Sequence, residues 1–253
     1  MKVSEHVLSD SPGRVALNGS EVHVWFVSLD QSACCVGRLA DLLSPDERTR
    51  AERFYFERDR ARFIAGRGLL RTILAFYSGA DPRRLEFRYG PRGKPSLAPG
   101  FGDLRFNLSH ARGRALYAIA RGREIGVDIE EVRPMPDAEK IAERFFSRRE
   151  YQVFRALPAS ARPRAFFDCW TRKEAFIKAL GDGLAYPLDR FDVSLSPGEP
   201  ARLLRIEGDP QGPAGWSLRE LALGLTHAAA LAVEGHGLDL SCRRLPREFV
   251  DAG

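Results

Sequence analysis

The apolar positions of this chain change period several times, and each change marks an element. "EVHVWFVSL" (21–29) alternates at every second residue, the spacing of a strand with two distinct faces. "LSPDERTRAERFYF" then opens like a helix: Ser44 is placed to cap it, Pro45 stands at the first helical position, and Asp46 and Glu47 meet the helix dipole. "DRARFIAGRGLLRTILAFYSG" has apolar residues three and four apart and predicts a long amphipathic helix ending at Gly79. "LEFRYGPRGKPSL" predicts a strand, a Gly/Pro/Lys-rich loop and a short strand, and "LRFNLSHARGRALYAIARG" predicts two strands joined through a polar turn.

Past Gly122 the plan recurs. The strand "IGVDIEEV" leads through helices over "DAEKIAERFF", "SRREYQVFRAL" and "ARPRAFFDCWTRKEAFIKALG" to the loop "GDGLAYPLDRF". It closes with "WSLRELALGLTHAAALAVEG", in which Thr226-His227 before a small apolar strand echoes Ser109-His110 before "ALYAIA". A long helix, a Gly/Pro loop and a strand bearing Ser/Thr-His, twice in one order, predict an internal duplication. The expected fold is α+β, with similar halves at 1–122 and 123–253. "EGDPQGPAG" reads as a surface loop and "CRRLPREFVDAG" as a loosely ordered tail.

Composition adds only boundaries. The 44% hydrophobic and 29% charged content belongs to an ordinary globular protein with enough chain to bury a full core. A net charge of +5 suits an acidic partner or a phosphate-rich ligand and carries no nucleic-acid signature. Cys34, Cys35, Cys169 and Cys242 form neither CxxC nor a Cys/His cluster, which argues against a zinc site or a disulfide framework. The opening "MKVSEHVLSDSPGR" lacks the apolar core of a signal peptide, and "AAALAV" is far too short to span a membrane, so a cytoplasmic protein is expected.

The candidate chemistry lies in the second half. Asp128 and Glu130, two apart on a predicted strand, project from one face, where like charges repel and neither residue favours the strand. Something positive is expected between them. Glu174 and Lys178, four apart, share one helix face with Trp170 a turn earlier. A solvated pair of this kind is worth only about 0.3–0.5 kcal/mol. Here, however, Ala175, Phe176, Ile177, Ala179 and Leu180 surround the charges with apolar residues. Asp128, Glu130 and Glu174 together offer the oxygen donors that Mg²⁺ prefers, and Lys178 can steady a leaving phosphate. In the first half, "YGPRGKPSL" sets Arg92 and Lys94 on a loop held by glycine and proline, and "FNLSHARG" places Ser109 and His110 at a strand end. Arg62, Arg67 and Arg71, five and four apart on the long helix, are spaced to reach the same ligand, although each alone also suits a solvated surface. There is no GxxxxGK[ST] and no G-x-S-x-G, so neither a P-loop nor a nucleophile elbow is indicated.

"RGKPSL", "FNLSHARG", "IGVDIEEV", "RFFSRREY" and "WTRKEAFIKALGDGL" occur in an order and at a spacing that resemble the 4′-phosphopantetheinyl transferases of the surfactin-synthetase-activating type, over roughly residues 44 to 195. The resemblance implies that family's fold as a pseudo-two-fold monomer, with the first half handling the nucleotide end of coenzyme A and the second the chemistry. It implies transfer of 4′-phosphopantetheine from coenzyme A to a serine of an apo acyl or peptidyl carrier protein, with release of 3′,5′-ADP. Position by position, Asp128, Glu130 and Glu174 look like the acids that hold Mg²⁺, for which Mn²⁺ can substitute. Glu174 is also the candidate base, Lys178 the lysine that contacts phosphate, and Lys94, Ser109, His110 and Arg62 the binders of coenzyme A. Asp46 and Glu47 stand where some relatives are basic, leaving Arg50 as the substitute. Two rival readings use the same residues: a Mg-dependent nucleotide hydrolase or nuclease, and a noncatalytic nucleotide- or carrier-binding relative. Nuclease lysines typically follow an acid by two on a strand, whereas Glu174 and Lys178 are four apart on a predicted helix.

Overall fold

A computed structural model of the protein describes residues 15–245; the opening segment and the end of the tail lie outside the described residues. The elements run β1 (Glu21–Ser28), α1 (Ala33–Ala40), α2 (Pro45–Glu52), α3 (Glu57–Ser78), β2 (Phe87–Tyr89), β3 (Pro95–Leu97), β4 (Leu104–Ala111), β5 (Arg114–Arg121) and β6 (Ile125–Glu131). They continue with α4 (Ala138–Phe145), α5 (Arg148–Ala156), α6 (Arg162–Leu180), β7 (Phe191–Val193), β8 (Leu203–Ile206), β9 (Trp216–Glu220), β10 (His227–Glu234) and β11 (Asp239–Arg244). Short 3₁₀ turns punctuate the loops, including two within "GDGLAYPLDRF".

The helix boundaries have local causes. Ser44 and Ser147 each open a helix through a capping box with the glutamate three residues on, Glu47 and Glu150. α3 and α6 both stop at a glycine in the left-handed conformation, Gly79 (φ 71°) and Gly181 (φ 83°). β4 and β5 are joined by a two-residue turn, Arg112-Gly113, with φ of 45° and 77° as the twist of a tight hairpin requires.

Two sheets organise the chain. The first has the order β11-β1-β5-β4 and the second β6-β10-β9, with β2-β3 and β7-β8 as separate hairpins. β11, which includes Cys242 to Arg244 of the tail, crosses back to pair in parallel with β1. His227 begins β10, with Thr226 just before it, whereas Ser109 and His110 lie on β4, before the hairpin turn. The two pairs are therefore not equivalent in strand position; the shared small apolar run that follows each hid that difference.

Alternation along the strands separates three cores. Trp25, Tyr117 and Ile119 belong to the first, with α1 and α3, and Ala228, Ala230 and Ala232 face α6 in the second. Val22, Val24, Leu116, Ala118, Ile125, Val127, Ile129 and Leu231 fill the third, where the two sheets meet. The result is helices, sheet, sheet, helices, and the central strands are buried on both faces. That is why "RALYAIAR" and "HAAALAVE" read as nearly continuous apolar runs.

One contact fixes how α6 lies on the second sheet. A Cβ at Gly126 would sit 2.1 Å from the carbonyl oxygen of Ala175 and 2.3 Å from the amide nitrogen of Ala179, both backbone atoms of α6. Only glycine permits that approach. On its other side α6 is held by Lys173, fully buried, whose ammonium donates to the carbonyls of Leu188 (2.7 Å) and Phe191 (2.6 Å) and pairs with Glu150 at 2.8 Å. We predict that Gly126→Ala destabilises the protein by about 3 kcal/mol or more, because the obstruction is backbone and cannot rotate away. Denaturant unfolding of the variant against the parent measures this; an unchanged midpoint would mean that α6 can lift at little cost.

Candidate active site

The face of β6 that carries Gly126 turns toward α6, so Asp128 and Glu130, in step with it, project toward the same helix. Glu174 and Lys178 come from α6 one turn apart. Lys178 Nζ donates to Asp128 Oδ1 at 2.6 Å and to Ser109 Oγ at 3.0 Å. Ser109 Oγ in turn donates to Asp128 Oδ1 at 2.8 Å and accepts from the backbone N–H of Ile129 at 3.4 Å. Nearby, Asn107 Oδ1 accepts from Val127 N–H at 2.9 Å. The positive group expected beside the strand carboxylates is thus Lys178 itself.

The electrostatics of the cluster are unfavourable to its own charges. Glu174 is pushed up from about 4.5 to about 7, first by burial and then by the charge of Asp128; Lys178 pulls against this and Glu130 adds to it. Glu130 is raised as well, by burial and then by Asp128. Asp128 is 3% exposed, and its Oδ2 is buried without a hydrogen-bond partner. An orphaned carboxylate oxygen beside two further acids whose proton affinity is raised by burial and then by neighbouring negative charge is a donor set that fits a hard divalent cation. Among the described residues, no three His, Cys, Asp or Glu side chains are drawn together as a formed metal cage, and Asp128 Oδ1 is engaged by the lysine.

The first-half candidates divide. Arg62 and His110 line one cavity of about 510 Å³, together with Arg50, Arg67, Tyr89 and Arg112. Arg62 is held there by a two-pronged contact with Asp30 at 2.7 and 3.1 Å. Asn107 also borders this cavity, two residues from Ser109, so it adjoins the acidic cluster. Lys94 points elsewhere: its ammonium donates to Glu124 (2.8 Å) and to the Ala179 carbonyl (2.7 Å), tying the loop to the end of α6. Ser109 likewise faces the carboxylates, because odd positions of β4 turn toward β6. Arg71 is no ligand of that cavity. It is 1% exposed, bound to Glu47 at 2.7 Å and to the carbonyls of Pro82 and Leu85, both at 2.9 Å. Glu47, far from disturbing a basic site, is the buried hub for Arg67 and Arg71.

Sequence reading did not single out Asn107, Arg112 or Gly126. An asparagine within an apolar strand and a glycine within "IGVD" are the available signals for the first and last. The role of Arg112 follows only from the hairpin turn.

Residues 124–232 match the 4′-phosphopantetheinyl transferase superfamily, and residues 31–120 match the family described as 4′-phosphopantetheinyl transferase, N-terminal. The 4′-phosphopantetheinyl transferase HetI of Nostoc sp. is 44% identical over 235 residues, which are 92% of this chain and 96% of that one. The 4′-phosphopantetheinyl transferase Sfp of Bacillus subtilis is 35% identical over 158 residues, 62% of this chain and 69% of its own. The L-aminoadipate-semialdehyde dehydrogenase-phosphopantetheinyl transferase of Xenopus laevis is 30% identical over 77% of this chain and 69% of its own.

The raised proton affinity of Glu174 has a consequence for stability. Unfolded, this carboxyl releases its proton near 4.5, and folded near 7, so the folded state binds more protons between those values. Stability falls as pH rises through that window. In metal-free buffer Glu174→Gln is therefore expected to stabilise the protein by about 1–2 kcal/mol at about pH 8, after discounting for solvent screening, and by little below about pH 4.5. Denaturant unfolding at the two pH values, with EDTA, tests this; a glutamine variant less stable at high pH would contradict the assignment.

Proposed function

This chain belongs to the 4′-phosphopantetheinyl transferase superfamily, and on that premise we propose that it transfers 4′-phosphopantetheine from coenzyme A to a serine of an apo acyl or peptidyl carrier protein, releasing 3′,5′-ADP. The observation that carries the assignment to particular residues is the convergence of Asp128, Glu130, Glu174 and Lys178 on one half-buried cluster, beside a cavity lined by arginines.

Glu174 is the base in this reading. A serine hydroxyl is a weak nucleophile, and a carboxyl with a proton affinity near neutrality is well matched to accept its proton. Lys178, one turn along α6, stabilises the oxygen on which charge develops as 3′,5′-ADP departs. Asp128, Glu130 and Glu174 would hold Mg²⁺, or Mn²⁺ in its place, which supplies charge neutralisation for the diphosphate. Arg62 and His110, with Arg50 and Arg112, bind the nucleotide end of coenzyme A, including its 3′-phosphate. Ser109 and Lys94 serve this site indirectly, Ser109 by orienting Asp128 and Lys178, and Lys94 by securing the end of α6.

The chain supplies both sides of the cluster, Ser109 before Gly122 and the acids after it, which supports a monomeric, pseudo-two-fold enzyme with a nucleotide half and a chemical half. Among the described residues no helix is long and apolar enough to cross a membrane. A cytoplasmic site of action follows from the need for coenzyme A and carrier protein together.

Intact-mass spectrometry of apo carrier protein incubated with the enzyme, coenzyme A and Mg²⁺ tests the reaction. A gain of one phosphopantetheine, abolished by EDTA, is expected. Asp128→Ala and Lys178→Ala should each slow transfer by about 10²-fold or more while keeping the fold by circular dichroism. Wild-type rates in both would refute the site assignment. His110→Ala should weaken binding of coenzyme A more than that of its 3′-dephospho analogue in titration calorimetry; equal weakening would remove the 3′-phosphate role.

A further inference from the structure

We propose that Lys178 is the resident counterion of the acidic cluster, and that its ammonium and a divalent cation compete for Asp128. The proposal rests on the transferase reading and adds an order of events to it: the lysine that meets phosphate is released for that task by loading of the acids.

The geometry is that of an occupied carboxylate. Asp128 Oδ1 receives two hydrogen bonds, from Lys178 Nζ at 2.6 Å and from Ser109 Oγ at 2.8 Å, while Oδ2, equally buried, receives none. Ser109 Oγ also accepts from Lys178 at 3.0 Å, so the ammonium is held at two points. One lysine facing three carboxylates leaves the cluster net negative, and the ammonium lies against the residue that is least exposed of the four. A divalent cation brought to Asp128 through Oδ2 would stand beside that ammonium, and like charges at such a distance in a poorly solvated site repel strongly. Lys178 must therefore leave for the cation to bind well.

The side chain is able to leave. Lys178 is on α6 with 28% of its side chain exposed, against 4% for Asp128, and its four-carbon stem can swing the amine toward the open side of the cluster. There it would meet the phosphates that coenzyme A brings. Ser109 acts as a positioning residue: its hydroxyl, anchored on Ile129 N–H, marks the resting position of the ammonium. Without a cation, the same lysine keeps three acids from standing unneutralised in a half-buried pocket. With Asp128 left ionised, weakening the lysine contact raises cation affinity, by at most the factor by which that contact is weakened.

The test needs neither coenzyme A nor carrier protein. Mn²⁺ binding to the full chain is measured by titration calorimetry and by the loss of the free-ion electron paramagnetic resonance signal. Lys178→Met is expected to bind Mn²⁺ roughly tenfold more tightly than the parent, within the usual range of coupling between competing ligands. Ser109→Ala should tighten binding by a smaller factor, and Lys178→Arg should stay near the parent. Asp128→Asn should lose the binding, showing that the signal comes from this cluster. Equal or weaker Mn²⁺ binding by a folded Lys178→Met would overturn the proposal, as would parent-like binding by Asp128→Asn. If Lys178→Met tightens Mn²⁺ binding but the parent enzyme modifies no carrier, the competition stands and the transferase reading falls; if the parent modifies carrier and Lys178→Met binds Mn²⁺ no more tightly, the competition falls and that reading stands.

Discussion

Everything at the candidate site depends on how closely α6 can approach β6. Helices usually lie on sheets with side chains between them. Here the backbone of α6 at Ala175 and Ala179 rests directly over Gly126, and alanines at 228, 230 and 232 continue the small-residue surface along β10. The close approach brings Glu174 and Lys178 within reach of a carboxylate on the strand beneath, which larger residues in the seam would prevent. A surface this smooth does not by itself fix rotation of the helix about its axis. That is supplied by Lys173, driven into the Leu188 and Phe191 carbonyls and Glu150, with its ammonium 4.1 Å from the centre of the Phe191 ring.

Among the buried charges of the described structure, three groups contrast. Glu47 accepts from Arg67, Arg71 and the Ser44 amide, and Glu150 accepts from Lys173 and the amides of Ser147 and Val193. In these two the negative oxygens are satisfied, and their removal would leave partner cations stranded, the expensive way to break a buried pair. The third group has three acids, one lysine and an orphaned oxygen on Asp128. Incomplete satisfaction, rather than burial or charge as such, separates the reactive cluster from the structural ones.

The same distinction explains what could be read from the sequence. Helix limits were legible because their causes are local: Ser44 with Glu47, Ser147 with Glu150, Gly79 and Gly181 at the ends. Asp128, Glu130, Glu174 and Lys178 stood out because each is a charge in an apolar element of clear period. Arg71 looked like a ligand because helical spacing reports a face and not what covers it, and its cover, the α2 residue Glu47, lies 24 positions away. Lys94 and Ser109 were found as polar residues in a meaningful string, but the string does not reveal that their partners are Ala179 and Asp128. The pairing of β11 with β1, across most of the chain, has no local signature at all.

Ser109 and Asn107 also show why the site lies where it does. β4 ends one sheet and β6 ends the other, and the N–H groups of Val127 and Ile129 on the β6 edge face β4 without a ladder partner there. Buried amides need acceptors, and the side chains of Asn107 and Ser109 provide them. Polar side chains are therefore required at this seam by the fold itself, whatever the chemistry. Unlike a backbone carbonyl, a serine hydroxyl that accepts from one amide can still donate to a carboxylate and receive a lysine. At the junction between the two sheets, satisfying the backbone thus leaves hydrogen-bonding capacity to spare, and the acids and the lysine are assembled on that capacity.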